Sequence, residues 1–176
     1  MATTKWALDP THSELQFKVK HLMITTVTGS LTSFNASLES ETDDFENAKV
    51  SFEAETGSID TGNKDRDNHL KSGDFFDAEK YPAIKFTSTS LNQDGEDYIL
   101  KGNLTIKDVT KPVKLNVEFG GIATDPWGNT KAGFTLAGKI NRTDFGLTWN
   151  AALETGGVMV SEEVKIVGEL QFVKQA

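Results

Sequence analysis

The heptapeptide Val113-Lys114-Leu115-Asn116-Val117-Glu118-Phe119 sets apolar and polar residues in strict alternation. Successive side chains of an extended strand point to opposite faces, so this run offers one oily face and one wet face. The same period recurs along the chain. Leu15, Phe17, Val19 and His21 oppose Glu14, Gln16, Lys18 and Lys20, and Val50, Phe52 and Ala54 oppose Ser51, Glu53 and Glu55. Ile84 and Phe86 oppose Lys85 and Thr87. Further rows are Tyr98, Leu100, Gly102, Leu104 and Ile106; Ala132, Phe134, Leu136, Gly138 and Ile140; and Val164, Ile166, Gly168, Leu170 and Phe172. Residues 27–38 complete a set of eight strands, with Gly29 and the Ser33-Phe34 step expected to bend that strand or shift its register. Turn chemistry separates most of them: Gln93-Asp94-Gly95, Asp125-Pro126-Trp127-Gly128-Asn129 and Gly156-Gly157.

A sheet with one apolar face needs a covering layer, and the chain offers no large helix to supply it. Residues 63–72 alone suggest a short one. The sheet must therefore close on itself or pair with a second sheet. Mostly up-and-down connections favour a closed, eight-stranded antiparallel barrel in an all-β fold, a size that can hold one small ligand. The inward rows mix small residues with large ones, at Ala54, Gly102, Ala132, Gly138 and Gly168. Two readings stay open: a long apolar hollow, or relief of crowding where strands curve sharply.

At 176 residues the chain suits one domain, 1–176. It has no cysteine, which excludes disulfides, a thiol nucleophile and cysteine metal sites. Its 26 acidic and 18 basic residues give a formal net charge of −8, which argues against nucleic acid or an anionic membrane as a standing partner. No apolar run reaches the ~18 residues of a membrane-spanning helix. The start, MATTKWALDP, lacks the apolar core and cleavage site of an export signal, so the expected location is cytoplasmic, or periplasmic if a leader has been removed.

Chemistry-bearing residues are few. His12, His21 and His69 are too scattered for a zinc motif, and no metal site is expected. His12 follows Asp9-Pro10-Thr11 and is expected to bond turn backbone. His21 ends an inward row at the barrel mouth, either as a satisfied rim histidine or as a partner for a polar head group. Arg66 lies between Asp65 and Asp67, and either pairs with one of them or reaches a ligand. Leu70, Phe75 and Phe76 need burial, so the short helix is expected to close one barrel end. Arg142 continues the inward parity of Phe134, Leu136 and Ile140, and needs a carboxylate or carbonyl partner. The expected structural partner is Asp144 or a carboxylate of the Asp65–Asp67 region. No GxSxG, Walker loop or GxGxxG occurs, and no carboxylate pair stands out. Neither a catalytic residue nor a cofactor is expected.

Four segments carry a family resemblance. DPTHSELQFKVKH (9–21), IDTGNKDRDNHLKSGDFFDAEKYPAIKFTST (59–89), GNLTIKDVTKPVKL (102–115) and AGFTLAGKINRTDFGLTW (132–149) resemble, in that order, the YceI-like family of lipocalin-like, polyisoprenoid-binding barrels. The resemblance implies an extended barrel with an apolar channel for a long isoprenoid or similar tail, such as a quinone or polyprenyl phosphate, and no catalysis. Three features depart from the family pattern. Many members carry an export signal, whereas this chain shows none. Lys107-Asp108-Val109-Thr110 replaces a glycine-containing turn, and Ser161-Glu162-Glu163-Val164 replaces a Gly-Asp turn.

On this reading Phe17, Val19, Phe52, Phe86, Leu104, Leu115, Val117, Phe134 and Leu136 line the channel. Phe75 and Phe76, with Leu70, cap it. His21, Arg66, His69 and Arg142 are candidates for the head-group end. Two other functions remain: a solidly packed structural barrel, and an enzyme acting on a lipid-like substrate, which no motif supports. An apolar rim at the entrance could also drive homodimerisation.

Overall fold

The computed structural model describes residues 3–22, 24–41, 45–150 and 160–175; the Gly156-Gly157 turn lies outside them. The strands are β1 (Thr4–Leu8), β2 (Glu14–His21), β3 (Thr25–Leu31), β4 (Phe34–Ser40), β5 (Lys49–Glu55) and β6 (Ile59–Asp60). Helix α1 (Lys64–Lys71) follows, then β7 (Ala83–Asp94), β8 (Asp97–Ile106), β9 (Val109–Thr124), β10 (Thr130–Asn141) and β11 (Val160–Lys174). Neighbours pair antiparallel in the order β1-β4-β5-β7-β8-β9-β10-β11, and β1 pairs with β11 to close an eight-stranded barrel. The apolar rows face one another across its interior, where Leu38, Ile84, Leu100, Leu115, Phe134 and Phe172 are all buried.

Three of the eight strands are broken. β1 and β2 form one path bent at Asp9, whose carboxylate accepts from Thr11 N (3.1 Å) to cap a turn begun by Pro10. β3 and β4 form a second, bent at Thr32-Ser33, beside the suggested Ser33-Phe34 step, while Gly29 stays within β3. β5 and β6 form a third, bent at the turn Thr56–Ser58. The lower segments make their own run, β11-β2-β3-β6. β6 pairs with β3 but has no pairing with β7, so the sheet parts between them among the described residues. The segment holding α1 occupies the connection across that gap. α1 lies within the expected 63–72. Asn63 caps it by accepting from Arg66 N (3.0 Å), Asp65 and Asp67 sit in the first turn, and His69 and Lys71 in the last.

β1 is a strand that the alternation alone did not reveal. Its inward residues, Trp6 and Leu8, are buried, but the Asp9-Pro10 corner cuts the row short. Trp6 belongs to an aromatic plug at one barrel end. The Phe45 ring lies 5.4 Å from Trp6 and 5.2 Å from both Phe119 and Phe134, and Phe134 lies 5.9 Å from Phe172. Phe45 is 0% exposed at φ 60°, a left-handed conformation that bulky residues rarely hold. Such a backbone costs on the order of 1–3 kcal/mol. Full burial of a phenylalanine contributes about as much in the other direction.

The inward glycines are not voids. The Phe17 ring takes the space a Cβ on Gly29 would need, the Phe86 ring does so at Gly102, and Leu115 does so at Gly138. Each glycine lets a neighbouring side chain settle onto the wall, as in aromatic rescue of strand glycines. These glycines relieve crowding, as one of the two readings held, but against neighbouring side chains. Gly120-Gly121, uninformative in sequence, marks a bulge: Gly133 faces Gly121 while Phe134 faces Phe119, and Gly121 has φ 109°. At the Lys107-Asp108 departure, both residues have positive φ (52° and 64°), the geometry a two-residue hairpin demands.

An ion cluster ties the Asp9 corner to the β9–β10 hairpin. Lys131 Nζ sits 2.8 Å from Asp9 and 3.7 Å from Asp125, and His12 Nδ1 sits 2.9 Å from Asp9. His12 thus meets a side-chain carboxylate and the Thr11 hydroxyl (3.1 Å), not turn backbone as expected, because Asp9 lies one turn behind it. The Lys131 hydrogen bond, aided by Thr11 and His12, holds the Asp9 carboxyl well below the usual carboxylate range.

Two predictions follow from this packing. An alanine Cβ at Gly102 would lie 2.5 Å from the Thr87 carbonyl oxygen, which is backbone and cannot yield, so Gly102→Ala should lose about 1–3 kcal/mol in urea denaturation. A depressed carboxyl stabilises the fold above its ordinary pKa and loses that contribution as pH falls towards its folded value. The stability gap between wild type and Asp9→Asn should therefore be widest at neutral pH and narrow below about pH 4. A gap independent of pH would show that the carboxylate charge adds nothing.

Candidate functional site

A cavity of about 340 Å³ runs inside the barrel. Its wall is almost wholly apolar, and such cavities do not hold ordered water well because nothing on the wall can bond it. The volume falls within the range of small-molecule pockets. Phe134 and Phe172 belong both to the wall and to the aromatic plug, so the plug forms the floor. At the other end the wall includes His21, Thr61, Arg66, His69, Trp149 and Val160. Arg66 is exposed, so the cavity reaches solvent there.

Every residue named in the sequence for the channel, its cap or its head-group end lies on this wall. Phe17, Val19, Phe52, Phe86, Leu104, Leu115, Val117, Phe134 and Leu136 come from β2, β5, β7, β8, β9 and β10. Leu70, Phe75 and Phe76 come from α1 and the turn after it, which fold over the open end. His21 closes β2 at the rim. The parity argument also missed residues. Ala36 and Leu38 of β4 line the wall, though the bend before β4 obscured their register. Leu147 and Trp149 do so after a 3-10 turn, Arg142–Phe145, which breaks the row. Gly146 ends that turn at φ 80°, a conformation glycine tolerates freely.

Trp149 links the two sides of the entrance. Its ring lies 4.8 Å from the His69 ring and 5.3 Å from Phe75, with His69 and Phe75 5.1 Å apart. Its carbonyl accepts from Arg142. His69 also bonds Asp74 through Nε2 (2.9 Å). Arg66 does not pair with Asp65 or Asp67. Its Nε donates to Thr61 Oγ1 and its Nη2 to the Thr61 carbonyl, both at 2.7 Å, while Asp67 accepts from the Thr61 hydroxyl at 2.5 Å.

Arg142 is 4% exposed and forms no ion pair among the described residues. The expected carboxylate partner is replaced by four carbonyl contacts. Nε donates to Ser161 (2.8 Å), Nη1 to Leu147 (2.6 Å) and Trp149 (2.9 Å), and Nη2 to Val160 (3.2 Å). The planar fork suits this task because it presents five fixed donors. Burial lowers its pKa, while the field of Glu162 opposes that shift. The guanidinium thus fastens the start of β11 to the chain leaving β10. Arg142→Met would strip charged donors from these carbonyls and should cost about 3 kcal/mol in chemical denaturation. A loss below about 1 kcal/mol would show that the carbonyls find other partners.

The geometry defines a hollow antiparallel barrel with one plugged end and one polar entrance. A YceI-like domain matches residues 6–172, and the chain belongs to that family. A UPF0312 protein of Staphylococcus aureus is 39% identical over 170 residues, covering 96% of this chain and 97% of the relative. A YceI protein of Campylobacter jejuni superposes with a TM-score of 0.75 at 33% identity, over 89% of this chain and 90% of that one. A polyisoprenoid-binding domain from Saccharophagus degradans shares the fold, with a TM-score of 0.67 at 16% identity over 97% of this chain and 98% of the other.

Proposed function

We propose that this protein binds one long-chain lipid, with an isoprenoid or similar tail, in the barrel cavity, and stores or carries it without changing it chemically. The observation that carries this reading is the cavity itself: oily along its length, with polar side chains gathered at one end. An extended apolar tail gains about 0.8 kcal/mol for each methylene withdrawn from water, so affinity needs few polar contacts. The named binding property of the Saccharophagus degradans neighbour agrees with it.

Two alternatives are weaker. A solidly packed barrel would leave no room of this size. An enzyme working through a covalent intermediate would need a nucleophile facing the lumen. Among the described residues Thr61 carries the only hydroxyl on the wall, and it is already engaged by Asp67 and Arg66. No group of three or more metal-ligating side chains occurs among them either.

The test is organic extraction and native mass spectrometry of freshly purified protein, followed by uptake of added polyprenol or quinone. A stoichiometric long-chain lipid is expected. Ala36→Trp, which fills the cavity from β4, and Leu104→Asp, which places a charge in it, should both abolish retention. Retention by a folded Leu104→Asp variant would move the lipid out of the cavity. Failure of the wild type both to co-purify with lipid and to take it up would end the proposal.

A further inference from the structure

Three large apolar side chains are exposed among the described residues: Ile24 (76%), Ile122 (43%) and Trp127 (83%). Ile122 and Trp127 stand beyond the aromatic plug, at the end of β9 and in the hairpin after it. Of the three, Ile24 alone stands at the entrance, in the turn joining β2 to β3. Its N–H donates to the His21 carbonyl (3.2 Å), and His21 lies on the cavity rim.

This turn departs from ordinary turn chemistry. Leu22, the first residue inside it, has φ 53°. Glycine, asparagine or aspartate commonly fills such a hairpin position, and a leucine there is strained. Neither Leu22 nor Ile24 lies on the cavity wall, so holding a tail does not explain them. Residues 22–38 also form the longest run without a charged side chain, in a chain of net charge −8. Thr25, Thr26 and Thr28 of that run are exposed. The rest of the entrance offers no patch of one sign: on α1, Lys64, Arg66 and Lys71 are interleaved with Asp65 and Asp67. Local rules broken in this way, with no gain to the fold, mark places shaped by function.

A lipid is scarce as a monomer in water, because the methylene burial that draws it into the barrel also draws it into a membrane. Rapid loading therefore requires the entrance to meet a lipid phase. An acidic protein is repelled by an anionic surface. A zwitterionic surface sets no such barrier, and an uncharged hairpin loses little hydration against it. We infer that the β2–β3 hairpin, through Leu22 and Ile24, sets the barrel entrance against a zwitterionic lipid surface, and that the ligand passes between that surface and the cavity during the contact. This rests on the lipid-binding reading above. The apolar area is too small for an anchor, so the contact forms and breaks as a carrier requires.

Transfer of retinol, a fluorescent isoprenoid alcohol, from the loaded protein to phosphatidylcholine vesicles tests this. Transfer by contact quickens as vesicles are added, whereas release into water has a rate independent of them. A rate that rises with vesicle concentration and is insensitive to salt is expected. Ile24→Asp should slow it about tenfold while leaving retinol affinity unchanged. Leu22→Asn suits the positive φ, so it should keep or raise the urea midpoint and still slow transfer several-fold. Trp127→Asp places the same charge at the far end and should transfer like the wild type. A rate independent of vesicle concentration, or one that Ile24→Asp leaves unchanged, would overturn the inference, while retinol binding would keep the lipid reading. Faster transfer to phosphatidylglycerol vesicles than to phosphatidylcholine would overturn the zwitterionic surface. A dimer in sedimentation that Ile24→Asp dissociates, with transfer unaltered, would give the hairpin to a second copy instead. Binding of no retinol would remove the lipid reading and this inference together.

Discussion

β11 carries two partners on one edge, and the shape of the interior follows from that. Its other edge pairs with β10 from Val173 to Glu163. On the shared edge β2 takes the first stretch, Val160 to Glu169, and β1 takes Phe172 to Lys174. Both belong to one chain path bent at Asp9, so a single strand is divided between two tiers. The β1 tier goes on to a closed ring that leaves no sheet edge. The β2 tier runs out at β6 without reaching β7. Closure at one level and failure of closure at the other give the barrel a sealed end and an entrance. The helix-bearing segment lies where the sheet parts, which is why Leu70, Phe75 and Phe76 meet the cavity there.

The two ends use different chemistry for physical reasons. The sealed end must exclude water from a ring of strand termini, and Phe45 does this by entering the aromatic cluster in a strained conformation. At the entrance, backbone leaves the sheet and its carbonyls lose their ladder partners. Arg142 answers several of these at once with one rigid fork, where neutral side chains would each reach one or two. Its position at the start of a 3-10 turn, with Gly146 reversing the chain, brings the Leu147 and Trp149 carbonyls within reach.

Period-two alternation made the barrel and much of its wall legible, because the inward face of a closed sheet is the only place for those side chains. Phe17 and Leu136 needed no further information. The failures share one cause: they depend on breaks in the strand path. Trp6 and Leu8 were hidden by the Asp9-Pro10 corner, Ala36 and Leu38 by the bend before β4, and Leu147 and Trp149 by the turn at Arg142. Phe45 stood outside every row, and only its packing reveals its place. The partners of Arg142 could not be read at all, since a carbonyl oxygen leaves no signature in residue type. His12 is a different failure. Asp9 stands three residues earlier in the sequence, and its carboxylate outcompetes turn backbone for the imidazole.

An oily channel by itself confers affinity without direction. Methylene burial is worth the same whichever end of a chain enters first, so length and apolarity alone cannot orient a ligand. Orientation requires that the two ends of the channel differ in what they penalise. The aromatic floor penalises any polar group, because Phe134 and Phe172 offer it no hydrogen bond. The entrance favours a polar end, because the cavity reaches solvent at Arg66 and the buried Arg142 guanidinium lies on its wall. These preferences act together on a molecule with one polar and one apolar terminus, and they favour its head at the solvent side. A ligand held that way enters tail first and leaves head first, without turning inside the barrel.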